Sequence, residues 1–184
     1  MHGVLRMSFV AVLAVAAGAP GEDSKPPKEE PKVARERVKG SIHHHPERVW
    51  LRIAGKVKVI DARTLEFADG TRVMLTLVAP DLMQMGRIDG KFYPCGREAA
   101  GSLRKLIGAA PVMAFGKEGE KLWKVYMGDT NLEHAMVING WALAHHSSLH
   151  AAEVIARENK RGLWRGEFVD PAEWRKGKRL PGEK

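Results

Sequence analysis

The sequence predicts a mainly β protein with added helices (α+β), built as a small five-stranded Greek-key barrel with about three helices. Three observations predict it. Leu51, Ile53, Val57, Val59, Leu65, Phe67, Val73, Leu75 and Leu77 alternate with more polar residues, the two-residue period of half-buried strands. Ala68-Asp69-Gly70 interrupts the alternation with a hairpin turn, because Gly70 takes a positive φ at no steric cost. Further along, three stretches change to helical spacing, which places helices after the third and fifth strands and at the end of the domain.

Taken in order, the first 19 residues are expected to be a secretory signal. Arg6 precedes an apolar run from Met7 to Ala17 broken only by Ser8, and Ala17-Gly18-Ala19 follows. The run is too short to span a hydrocarbon core about 30 Å thick. This layout implies a secreted or periplasmic protein without a transmembrane segment. Residues 20–48 are rich in Lys, Glu and Pro and poor in apolar side chains, the composition of a disordered charged linker. His43-His44-His45 lies within it, where adjacent imidazoles of an extended chain point apart and hold metal only weakly.

One domain is expected over residues 49–175. Of the 184 residues 44% are apolar, enough for a real core in a domain of about 135 residues. The first two strands run from 49 to 67, and the third leads through Val73, Leu75 and Leu77 to Ala79-Pro80-Asp81. A Gly- and Met-rich loop reaches Gly96. Residues 97–107 carry Ala100, Leu103, Leu106 and Ile107 at helical spacing and stop at Gly108. Residues 112–115 and 122–127 read as the last two strands. A helix over 131–139 is expected to be capped by Thr130 and ended by Gly140, and a third over 148–161 to bury Leu149, Ala152, Ile155 and Ala156. Trp164 and Trp174 close the domain as lids on the core. Strands and helices in this order make a Greek-key barrel of the OB type.

Charge narrows the partners. Thirty Lys and Arg against 22 Asp and Glu leave +8, and residues 157–184 alone carry nine basic and five acidic side chains. This surface, with a basic tail at 176–184, suits nucleic acid or another polyanion, or is a charge balance serving solubility. Cys95 is the only cysteine, so no intramolecular disulfide can form, and a small buried hydrophobe is the simplest role for it. His146 and His150 fall one helical turn apart, but no third ligand accompanies them.

With these elements placed, the chain resembles the staphylococcal-nuclease (thermonuclease) family over roughly residues 55–175. The resemblance is carried by Val-Ile-Asp-x-x-Thr-Leu at 59 to 65, Ala79-Pro80, Tyr93-Pro94-Cys95-Gly96-Arg97-Glu98-Ala99, Gly140-Trp141-Ala142, Glu153 with Ala156-Arg157, Gly162-Leu163-Trp164 and Trp174-Arg175. It implies an OB barrel whose active members cleave DNA and RNA with calcium. It also implies where the site lies, at positions 61, 63, 64, 73, 78, 81 and 120.

At those positions Asp61 and Thr64 keep the family's identity, whereas the rest of the site has changed. Arg63 replaces a calcium-binding aspartate, and Val78 replaces the other. Val73 and Glu120 replace two phosphate-gripping arginines, and Asp81 is one methylene shorter than the glutamate assigned as base. Arg72 neighbours position 73, yet a one-residue offset in a strand points to the opposite face. Calcium needs six to eight oxygens, and a guanidinium at ~5 Å repels a divalent ion by about 6 kcal/mol at an effective dielectric of 20. Each lost phosphate donor costs about 3 kcal/mol of transition-state stabilisation. Family-type catalysis, and with it calcium, is therefore expected to be absent.

Two further readings accompany the resemblance. His146 falls near a base-stacking tyrosine of the family, and Gly86, Ala114 and Met127 stand where a cysteine-bearing subgroup has its other cysteines. The expected protein is a nuclease-like OB domain that binds nucleic acid or another polyanion without cutting it. The alternatives are a metal-dependent phosphodiesterase that uses Asp61, Asp81 and Glu120 in a rearranged site, and a protein-interaction module. Arg63 is expected to fill the vacated metal position by pairing with Asp61, Asp81 or Glu120.

Overall fold

The computed structural model describes residues 33–38 and 50–183. The expected signal, the triple-histidine run and most of the expected linker lie outside them. The described strands are β1 (Ala34–Val38), β2 (Trp50–Gly55), β3 (Val57–Val59), β4 (Thr64–Phe67), β5 (Arg72–Leu75), β6 (Gly86–Ile88), β7 (Lys91–Tyr93), β8 (Val112–Lys117), β9 (Leu122–Met127), β10 (Thr130–Asn131) and β11 (Glu167–Phe168). The helices are α1 (Cys95–Ile107), α2 (Leu132–Ile138), α3 (His150–Glu158) and α4 (Pro171–Arg175). Mixed α+β architecture is thus as expected, with a fourth short helix. Asp170 caps that helix through its side chain and Pro171 opens it, where a missing N–H costs nothing.

The main sheet runs β1-β2-β8-β9-β5-β4-β3, with β10 paired to β9. All neighbours are antiparallel except β5 and β9, which are parallel through Met74↔Leu122 and Leu75↔Trp123. Only Lys56 separates β2 from β3. The path that leaves β2 through β8 therefore returns, at β3, to the next residues of the same stretch of chain. Alternation placed these strands correctly because one face of each is buried: in β8 the burial pattern is strictly alternate, and Leu65, Val73, Leu75 and Val125 are fully buried. The turn at 68–70 is also as read. Gly70 has φ 81°, and the Thr71 N–H donates to Asp69 Oδ1 at 2.9 Å.

Several local readings need correction. Ala34–Val38, inside the expected linker, is a strand that pairs with all of β2 but its last residue. Composition did not signal this, because an edge strand exposes most of its charges. The expected loop to Gly96 contains the β6–β7 hairpin, which β11 extends into a second, three-stranded sheet. Its turn residues Asp89 and Gly90 both have positive φ, the Asp-Gly signature of a tight hairpin. The cap of α2 is Asn131, whose Oδ1 accepts the His134 N–H at 2.9 Å, rather than Thr130. Finally, the residues after 175 pack against the body. Glu183 accepts from Trp174 Nε1 at 2.8 Å and from the Leu180 N–H at 3.0 Å, and Arg87 Nη1 donates to Pro181 O at 3.3 Å.

The helices cover one side of the core. Ala99, Ala100, Leu103 and Ile107 of α1, Leu132, Met136 and Val137 of α2, and Ala152 of α3 join the strand residues in one cluster. Ile155, expected on the inner stripe of α3, is 40% exposed, whereas Ala152 and Ala156 of the same helix are buried. Among the described residues no helix is long and apolar enough to cross a membrane.

Candidate functional site

The site residues converge from three places: the turn between β3 and β4, the segment after β5, and α4. The turn is built by Asp61. Its Oδ1 accepts the backbone N–H groups of Arg63 and Thr64, each at 2.8 Å, and its Oδ2 accepts from Thr64 Oγ1 at 2.9 Å. A short carboxylate that captures N–H groups two and three residues on is a local device, and it fixes the loop before any long-range contact forms. Leu75 N donates to Arg63 O at 2.8 Å, which ties the same turn to the end of β5.

Arg63 is half-buried here and is not paired. Among the described residues no carboxylate lies within 4.0 Å of its guanidinium, so the expected ion pair with Asp61, Asp81 or Glu120 does not form. Each carboxylate has other work. Asp61 holds its turn, the exposed Asp81 accepts the Met83 N–H at 3.3 Å, and Glu120 pairs with Lys117 at 3.2 Å. The charge of Arg63 is felt instead by another cation. Arg175, brought in by α4, donates to the carbonyl of Ala79. Burial and then the positive charge of Arg63 hold its guanidinium below the usual arginine range, while Asp81, Asp61 and Asp170 pull it the other way. The Arg175 guanidinium thus feels the charges of Arg63, Asp61, Asp81 and Asp170 together.

Of the remaining predicted positions, Val73 and Val78 serve the fold and His146 lies on the surface. Val73 is fully buried in the core, whereas Arg72 points outward and pairs with Glu66 at 2.6 Å, as the strand offset requires. Half-buried Val78 exchanges two backbone hydrogen bonds with Leu143, at 2.8 and 3.3 Å. His146 is exposed ahead of a short 3-10 turn, and its ring meets His145 edge-on at 4.8 Å. Among the described residues no three His, Cys, Asp or Glu side chains are grouped to hold a metal. Cys95 is fully buried, donates to Gln84 O at 3.2 Å, and has its thiol pushed up to about 12 by burial first of all. Almost no thiolate exists there at neutral pH, so it packs as a hydrophobe.

Sequence reasoning missed Arg175 as a member of this charged group. Its only signal was its place in the Trp174-Arg175 match, which says nothing of where α4 docks. It also missed the buried Glu133 below. The Thr76 N–H donates to its Oε1 at 3.1 Å, and burial raises its pKa. Compared with known proteins, the chain matches no family model and no curated protein.

Proposed function

We propose that this chain is an exported, nuclease-like OB barrel that binds nucleic acid or a related polyanion and does not hydrolyse it. The circuit β3-β4-β5-β9-β8-β2, with its single parallel step between β5 and β9, supports a five-stranded barrel. The apolar leader supports export.

The observation that carries the function is that Arg63 and Arg175 are close enough for the charge of one to be felt by the other, and neither has a carboxylate of the described residues within 4.0 Å. Calcium does not fit such a donor set. Both oxygens of Asp61 are committed to the turn, and two fixed cations oppose a divalent ion. The same pair suits phosphate, which guanidinium recognises with a planar fork of donors.

Incubation of the mature protein with single-stranded DNA and RNA, in calcium, manganese or chelator, is expected to give no cleavage. Metal-dependent turnover that is lost in Asp81→Ala would establish the phosphodiesterase instead. Binding measured by fluorescence anisotropy is expected to weaken steeply with salt, because neutralised phosphates release counterions. No binding even at low salt would leave the protein-interaction module.

A further inference from the structure

We propose that the outer face of β2, β8 and β9 is a platform on which the bases of a single strand of nucleic acid stack. This rests on the polyanion reading above and assigns it a surface. The strand register composes the face. Val112, Ala114 and Gly116 of β8 turn inward, and a Cβ on Gly116 would collide with the Trp123 ring at 2.3 Å. Met113, Phe115 and Lys117 consequently turn outward. On β9, Trp123 and Val125 are buried, so Leu122, Lys124 and Tyr126 share the outer side.

Cross-strand partners then fall in rows. Arg52, Phe115 and Lys124 are directly opposite one another on β2, β8 and β9. With neighbouring strands about 4.8 Å apart, this sets a cation on each side of an aromatic ring. The adjacent row brings Tyr126 opposite Met113, and the Phe115 and Tyr126 rings meet edge to face with centroids 6.0 Å apart. Arg52 is held in place by its Nε contact with Met113 Sδ at 2.9 Å. The acidic groups of this face sit at its margins. Glu36 pairs with Arg52 at 3.2 Å and Glu120 with Lys117 at 3.2 Å.

Half-buried aromatics between cations are what an unpaired strand needs. Every base offers a π face, and the flanking charges meet the phosphates on either side. A duplex keeps its bases stacked internally and gains nothing from the rings. The face therefore selects single strands without selecting sequence. Leu122, 42% exposed, extends its apolar strip along β9.

The test compares a short fluorescent thymidine oligomer with an abasic deoxyribose-phosphate oligomer of equal length and charge. Wild-type protein is expected to bind the thymidine oligomer about tenfold or more tightly. Phe115→Leu with Tyr126→Leu keeps apolar area but removes the rings. It is expected to lose that preference while retaining abasic binding, with an unchanged circular dichroism spectrum. Equal wild-type affinity for both oligomers would overturn the platform and leave the polyanion reading standing. So would a folded double variant that still prefers bases. Failure of the wild type to bind either oligomer at low salt would overturn both. The wild-type comparison decides the matter even if the double variant does not fold.

Discussion

Asp61 and Glu133 are two carboxylates that serve the same end of the same hairpin by different means. Thr64 opens β4 opposite Met74 of β5, so the Asp61 turn and the Thr76 N–H lie at one end of the pair. Asp61 binds N–H groups two and three residues away, is half-buried, and has both oxygens satisfied. Glu133 comes from α2, 57 residues after Thr76. It is 4% exposed, and its charged form is disfavoured by burial. The difference teaches that an acceptor near water builds a loop cheaply, whereas a buried one braces a strand at a cost in desolvation.

The largest expected effect lies outside both carboxylates, at the wall next to Asp81, and sets the scale for them. A Cβ on Gly96 would lie 1.6 Å from Asp81 O and 2.6 Å from its carbonyl carbon, a clash with backbone that no rotamer relieves. Gly96→Ala is expected to cost about 3 kcal/mol or more in urea unfolding. A near-neutral result would mean that the start of α1 does not press on the Asp81 segment.

A smaller effect tests the local carboxylate. Asp61→Ala removes the acceptor of two N–H groups and a hydroxyl, and is expected to cost about 2 kcal/mol. Asp61→Asn keeps an oxygen for both N–H groups and should recover about half of that. If the two variants are equally destabilised, charge rather than turn geometry is what Asp61 contributes.

Glu133 supplies the pH-dependent half. Burial, opposed by the Thr76 N–H and Lys124, raises its folded pKa above the reference 4.5. Below that reference the side chain is protonated in both states and folding is unpenalised. As pH rises through the folded pKa, the unfolded chain ionises first and stability is lost. Glu133→Gln, which keeps an acceptor and cannot ionise, should therefore gain on wild type between pH 4 and neutrality. A difference in unfolding free energy that stays flat with pH would contradict it.

The smallest effect is on the surface of the same hairpin. Arg72 and Glu66 pair at 2.6 Å with side chains 65% and 24% exposed. Arg72→Ala is expected to cost about 0.5 kcal/mol or less and to fade in high salt. A larger, salt-insensitive loss would show that Arg72 does more than decorate the hairpin.

Much of the strand framework could be read directly. Leu65, Phe67, Val73 and Leu75 announce their inward faces by alternation, and the 68–70 turn announces itself by Gly70. The β6–β7 hairpin was equally visible at Asp89-Gly90 but was hidden by its weak apolar pattern, since Lys91 and Phe92 are both exposed. The candidate site was half legible. Asp61 with Thr64 is a local motif, and local hydrogen bonds follow from spacing. The pairing of Arg63 was misjudged because it depends on which distant side chains arrive.

By itself the sequence determined the alternation, the turn at 68–70, the Asp61 loop and the presence of a guanidinium at position 63, because each depends on residues within a few positions of one another. Only the tertiary structure decided that α4 brings Arg175 within reach of the charge of that guanidinium, that Glu133 accepts from the Thr76 N–H, and that Arg52, Phe115 and Lys124 form one row. Those depend on helix docking and strand register, where contacts span dozens of residues and the packing of the whole core selects the outcome.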